Sequence, residues 1–133
     1  MRRQVVHTPK VPPARVPLSQ AVKAGDWVFA SGQLGFVAPG KLAEGGIAAE
    51  TRQVCENLKA VVLSRASSLN DIVKLTIYVL SKSAYKAKAG EIGAVYREYF
   101  GKHYPAMTLV EVKGLYDEDK GCVIEIEGIA IID

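Results

Sequence analysis

Two carboxylates stand two residues apart in Val123-Ile124-Glu125-Ile126-Glu127-Gly128-Ile129-Ala130, a stretch rich in β-branched residues. Side chains two apart share one face of a strand. Cys122, Ile124, Ile126, Gly128 and Ala130 therefore fall on one side, and Val123, Glu125, Glu127, Ile129 and Ile131 on the other. An ionised carboxylate among apolar neighbours must be paired, reached by water or shifted in pKa. Either a lysine such as Lys74 or Lys113 pairs with these groups across strands, or one of them serves as an acid or base at a cleft.

Ser31-Gly32-Gln33 closes the apolar run Trp27-Val28-Phe29-Ala30. A strand ending this way sets backbone N–H groups beside a hydroxyl, which suits a carboxylate or carbonyl oxygen, although an ordinary strand-end turn has the same composition. One glycine does not make the multiple-glycine cradle that phosphate needs. The spacing of Ser, His and Asp residues shows no convergent nucleophile–base pair. His7 and His103 have no Cys or His at ligand spacing, so no metal site and no cofactor are expected. Cys55 and Cys122 sit in apolar runs and read as small buried hydrophobes. Lys82, Lys86 and Lys88 beside Tyr85 read as a solvated helix face rather than a nucleic-acid patch.

The elements that must position these groups follow from periodicity. A short strand, Gln4 to His7, leads into an arm whose Pro12, Pro13 and Pro17 forbid helix, and this arm is expected on the surface. Ala21 to Leu34 reads as a hairpin turning at Gly25-Asp26, and Gly35 to Gly46 as a loop. From Ile47 to about Arg65 the apolar residues Ile47, Val54, Leu58, Val61 and Val62 recur at helical spacing, with Glu50, Arg52, Glu56 and Lys59 assigned to the polar side. After a polar turn from Ala66 to Asp71, Ile72 to Leu80 alternates as a half-buried strand. Ser83 to Phe100 predicts a second helix, N-capped by Ser83 and ended by Gly101. Ala106 to Val112 and Cys122 to Ile132 predict two last strands separated by a turn over Tyr116 to Gly121. The order is ββαβαββ.

The chain has 133 residues, 49% of them hydrophobic and 23% charged. That length fits one domain, 1–133, and supplies a core without staples. A formal net charge of +3 is too small to imply a phosphate-backbone partner by itself. The basic N-terminus lacks the apolar run of a secretory signal, and no stretch is long enough for a membrane span. A cytoplasmic protein with no membrane partner is expected.

Five blocks in order carry a resemblance that spans nearly the whole chain: Pro17-Leu18-Ser19-Gln20-Ala21-Val22, Val28-Phe29-Ala30-Ser31-Gly32-Gln33, Thr51-Arg52-Gln53-Val54-Cys55-Glu56-Asn57-Leu58, Tyr104-Pro105-Ala106 and Val123 to Ala130. Together they closely resemble the YjgF/RidA family of reactive-intermediate deaminases. The resemblance implies an α+β, chorismate-mutase-like fold, a sheet with two helices on one face, and a homotrimer with small-molecule clefts between subunits. An uncovered second sheet face in a subunit this small is consistent with that assembly.

The resemblance also implies a division among site residues. Ser31, Gly32 and Glu125 match the family pattern, and Glu125 takes the place of a functional glutamate while Glu127 is structural. The arginine that clamps the substrate carboxylate in deaminase members is replaced by Met107. A small Cys or Ser becomes Leu109, a tyrosine becomes Leu18, and the second-helix asparagine of the family has no counterpart. Met107 cannot supply a bidentate, charge-assisted contact. The expected function is thus a weak or altered enamine/imine deaminase with a greasier cleft that favours neutral or aromatic ligands, or a ligand-binding protein without catalysis. Parts of the family are described as endoribonucleases or translation inhibitors, which makes an RNA-directed role the alternative. Should 2-imino acids be accepted, Lys74 or Arg15 is the substitute cation.

Overall fold

The computed structural model describes residues 3–14, 16–65 and 68–132; Arg15 and the start of the expected turn at Ala66-Ser67 lie outside them. Strand β1 (Arg3–Val6) pairs antiparallel with β2 (Ala21–Ala24), and β2 turns at Gly25-Asp26 into β3 (Trp27–Gln33). The two-residue turn works because Gly25 adopts a φ of 60°, a conformation that suits a tight hairpin. Within Gly35 to Gly46, expected as a loop, the structure forms a small ribbon of β4 (Phe36–Ala38) and β5 (Lys41–Leu42). The sheet continues with β6 (Ile72–Val79), β7 (Ala106–Glu111) and β8 (Ile124–Ile131). Its order is β1-β2-β3-β8-β6-β7, with only the β6–β7 pair parallel. The result is a mixed α+β fold.

Helix α1 (Ile47–Val62) packs on β3 and β8 through Val54, Leu58 and Val61, each fully buried. The second helical segment differs from the single helix expected over Ser83 to Phe100. It divides into α2 (Lys82–Ala87) and α3 (Ala89–Phe100), because Lys88 leaves helical geometry at φ −112°, ψ 21°. The cap is Ser81 rather than Ser83: it is extended, two residues beyond β6, and its hydroxyl accepts the Ala84 N–H at 3.1 Å. Ile92, Val95 and Phe100 carry α3 onto the core beside α1.

The two faces of the sheet differ sharply. Ile124, Ile126, Leu75 and Ile77 point under the helices and are buried. On the opposite face Val5, Val22, Phe29 and Ile129 line up across four strands, with Trp27 and Ile131 in the next row. Val5, Trp27 and Phe29 remain 46%, 43% and 45% exposed, and the two rings lie nearly parallel with centroids 6.1 Å apart. The N-terminal arm lies mostly on the surface as expected, with Val16 and Leu18 exposed, except that Val11 is buried in the core. No described helix is long and apolar enough to cross a membrane.

Candidate ligand cavity

The site begins at an irregularity in the sheet. Ala30 pairs with Gly128 and Gln33 with Ile126, so Ser31 and Gly32 together oppose the single residue Glu127. One extra residue in a strand is a β-bulge, which bends the strand and re-aims nearby side chains. At this bulge the Glu125 carboxylate crosses over Gly32. A Cβ at residue 32 would lie 2.0 Å from Glu125 Oε2 and 2.8 Å from Cδ, so only glycine leaves room for this pose.

Glu125 enters a cavity of about 670 Å³, within the range of small-molecule sites. The proline-bearing arm supplies one apolar wall through Val11, Pro12, Pro13, Val16 and Leu18. Phe36 and Asn57 close another, and Tyr116 with Asp117 stands at the rim. The arm is held by Gln20, whose Oε1 accepts the Thr8 N–H at 2.6 Å and whose Nε2 donates to the Thr8 carbonyl at 3.1 Å. Asn57 fixes the opposite wall by donating through Nδ2 to the carbonyls of Leu34 and Phe36, at 2.9 and 3.0 Å.

Ser31 is arranged differently from the turn that its sequence suggests. Its N–H donates to the Gln20 carbonyl at 2.9 Å and its hydroxyl to the Ser19 carbonyl at 2.6 Å. Both protons are committed to the main chain, which leaves the Ser31 oxygen as an acceptor.

The Glu125 carboxyl is held above its ordinary pKa, first by burial, then by the charges of Glu127 and Asp117. The lysines expected as cross-strand partners do not reach either glutamate among the described residues. Lys74 Nζ donates to Thr108 Oγ1 at 2.6 Å, and Glu127 instead accepts a hydrogen bond from the Tyr78 hydroxyl. Glu127 is thereby satisfied by a neutral partner, while Glu125 lines the cavity without a counter-charge among the described residues. No described Lys or Arg lines the cavity.

Of the residues singled out from the sequence, Leu18, Ser31, Gly32 and Glu125 line this one cavity. Met107 and Leu109 do not. They lie on β7 in register with Leu75 and Ile77, at the far edge of the sheet, where Leu109 packs on the core and Met107 is 37% exposed. Arg15, named as a substitute cation, lies outside the described residues.

Sequence reasoning missed Asn57, Gln20 and Asp117 as cavity residues and misplaced Glu50. Glu50 is buried, not on a polar helix face: its Oε1 accepts the Val123 N–H at 2.8 Å and ties α1 to the start of β8. Burial raises its pKa, and the hydrogen bonds from the backbone of Val123 and Ile124 oppose that rise. The signal was present in the spacing, since Glu50, Val54, Asn57 and Val61 follow one another at four, three and four residues and so share a helix row.

Cys55 and Cys122 are both buried free thiols, and burial pushes each up to about 12, far from a reactive thiolate. Lys88 pairs with Glu91 at 3.5 Å on an exposed helix face. Among the described residues no group of three His, Cys, Asp or Glu side chains is placed to hold a metal ion.

A mixed six-stranded sheet with helices on one face, and a β8 glutamate laid across the β3 bulge at a cavity, define an α+β protein with a ligand site built on its sheet. The family model described as Endoribonuclease L-PSP matches residues 8–132, and the chain belongs to that family. It is 40% identical over 131 residues to a RutC family protein of Pyrococcus abyssi, with 98% of each chain covered. It is 32% identical over 130 residues to the human 2-iminobutanoate/2-iminopropanoate deaminase, covering 97% of this chain and 90% of that one. The crystal structure of RidA from an Antarctic Psychrobacter superposes with a TM-score of 0.83 at 39% identity, covering 97% and 99% of the two chains.

Proposed function

We propose that the chain is a hydrolase of the imine/enamine deaminase type whose cavity has shifted away from 2-imino acids, with Glu125 handling the attacking water. The observation that carries this reading is the Glu125 carboxylate, aimed into an apolar cavity by the Gly32 bulge and not neutralised by a described cation. Relatives named as imine deaminases support the reaction class. A protonated imine and water give a carbonyl compound and ammonium. Water oxygen bonds to the imine carbon as Glu125 takes a water proton, and that proton passes to nitrogen; the C–N bond then breaks as Glu125 takes the carbinol hydroxyl proton, which leaves the carbonyl compound and hands the proton to the departing ammonia as ammonium. A carboxyl group whose pKa is raised by burial is a stronger base once ionised than an exposed one, which suits this exchange near neutral pH. Leu18 and the arm make the pocket apolar, and Met107 replaces the family's carboxylate clamp.

The homotrimer belongs to the same proposal. The stripe of Val5, Val22, Phe29 and Ile129, with Trp27 beside it, is a half-exposed apolar face of the kind that oligomers cover. In such an assembly the cleft lies between subunits, and a neighbour's β7 is the source from which Met107 and Leu109 would complete it. An RNA-directed role fits the site poorly, because Glu125 and Asp117 would repel phosphate.

The test is ammonia release from imines generated in situ by an amine- or amino-acid-oxidising enzyme, timed with and without the protein, alongside cleavage of a generic RNA. Acceleration is expected for imines lacking a carboxylate, weakly or not at all for 2-iminopropanoate, and not for RNA. Glu125→Gln should reduce it about 10²- to 10⁴-fold. RNA cleavage without imine hydrolysis would replace this function with the alternative one.

A further inference from the structure

We infer that the cavity selects a ligand that presents a cationic nitrogen, an ammonium or iminium group on a small apolar or aromatic body, and no carboxylate. This rests on taking the cavity as the ligand cleft and specifies what that cleft recognises. The polar groups of the cavity are predominantly acceptors. Ser31 has given its hydroxyl proton to the Ser19 carbonyl at 2.6 Å, and its N–H to Gln20. Asn57 directs its amide N–H groups at two wall carbonyls, and Gln20 directs its amide at Thr8. Gln33 donates through Nε2 to the Ser31 carbonyl at 3.1 Å, so this chain's side chains left facing the cavity are the Ser31 hydroxyl oxygen, the Glu125 carboxylate and, beside the Tyr116 hydroxyl, the Asp117 carboxylate.

An anion entering here meets two like charges and no described lysine or arginine. A neutral apolar ligand gains the walls but leaves Glu125 without a partner in a partly desolvated place. A cationic N–H donor satisfies both the charge and the acceptors, and charge-assisted hydrogen bonds are the strong kind. Val11, Pro12, Leu18 and Phe36 meanwhile bury the apolar body. The bulge makes the selectivity positional, since Glu125 lies across Gly32 instead of pointing freely into solvent.

The test titrates the full chain in its native assembly with benzylamine, benzyl alcohol and benzoate, which share a ring and differ in charge. Calorimetry gives affinity, and ¹³C-methyl spectra of Val11 and Leu18 report whether the probe occupies the cavity. Benzylamine is expected to bind at least tenfold more tightly than benzyl alcohol, with benzoate weakest. Glu125→Gln should erase the preference while benzyl alcohol binding persists, and Asp117→Asn, at the rim, should reduce it in part. Equal binding of the three probes with methyl shifts at Val11 and Leu18 overturns the cation preference and leaves the cleft standing. Tightest binding by benzoate also overturns it and transfers the counter-charge to a cation such as Arg15. Absence of methyl shifts with every probe overturns the inference together with the assignment of the cavity as the cleft.

Discussion

The carboxylate of Glu125 occupies the volume that a side chain at residue 32 would need: Oε2 stands 2.0 Å from where a Gly32 Cβ would be. Both residues owe this contact to the bulge at which Ser31 and Gly32 oppose Glu127. A methyl group at residue 32 meets the far end of a flexible side chain, so Glu125 can swing away. Gly32→Ala should therefore fold with a stability loss of no more than about 1–3 kcal/mol, yet lose about a hundredfold in imine hydrolysis through misplacement of its base. Urea denaturation and the ammonia assay separate the two effects. Retained activity would show that the Glu125 pose is immaterial.

Gly35 offers a contrast deeper in the fold. A Cβ there would lie 2.5 Å from Glu50 Cγ and 3.0 Å from the Glu50 carbonyl oxygen, and the Glu50 side chain is tied to the Val123 N–H. Glu50→Gln keeps an acceptor for that N–H and should be close to neutral. Glu50→Ala strands a part-buried donor and should cost about 1–3 kcal/mol by denaturant titration. Equal losses for the two variants would rule out this hydrogen bond as the source.

The acidity of Glu125 sets a pH dependence. Burial, then Glu127 and Asp117, hold its folded-state pKa above the ordinary carboxylate value. The folded state thus binds the proton more tightly than the unfolded chain does. The stability linked to it is complete below about pH 4.3, the unfolded value, and is lost as pH rises through the folded value. Glu125→Gln, which cannot ionise, should raise Tm at about pH 7 and lose that advantage on acidification to about pH 4. Scanning calorimetry across this range tests the sign; a variant less stable at neutral pH contradicts it.

Asn57 holds the cavity wall through two carbonyls, at 2.9 and 3.0 Å. Asn57→Asp replaces the donor with an acceptor facing those oxygens and should destabilise more than Asn57→Ala, itself costing about 1–3 kcal/mol. Thermal melts of the two variants provide the ranking.

The apolar stripe predicts the assembly. Phe29→Glu puts a charge into the row formed with Val5, Val22 and Ile129, and should convert the proposed homotrimer to a folded 14.3 kDa species in sedimentation. A wild-type chain that is monomeric at micromolar concentration would defeat the proposal outright.

Local periodicity was enough to assign β6, α1 and β8, because each buries one face against a continuous core and its sequence has to alternate at two or at three and four residues. The blocks around Leu18, Ser31-Gly32 and Glu125 were legible too, and these distant segments meet at one cavity. Tertiary structure alone decided the rest. A bulge arises between two strands, so neither strand's sequence states that Ser31 and Gly32 would share one partner or that Ser31 would give up both protons. The arm looked like surface because prolines exclude regular pairing, but it is buried in part through Val11 and the hold of Gln20 on Thr8. Glu50 was read by its charge rather than its helix row, and burial became tolerable only because a strand more than seventy residues away presents the Val123 N–H. Met107 and Leu109 were grouped with Glu125 by resemblance, whereas β7 sits beyond β6 at the sheet edge within one chain. Sequence patterns record what each segment must bury, and the partners of a polar group are chosen by segments that its own neighbours do not encode.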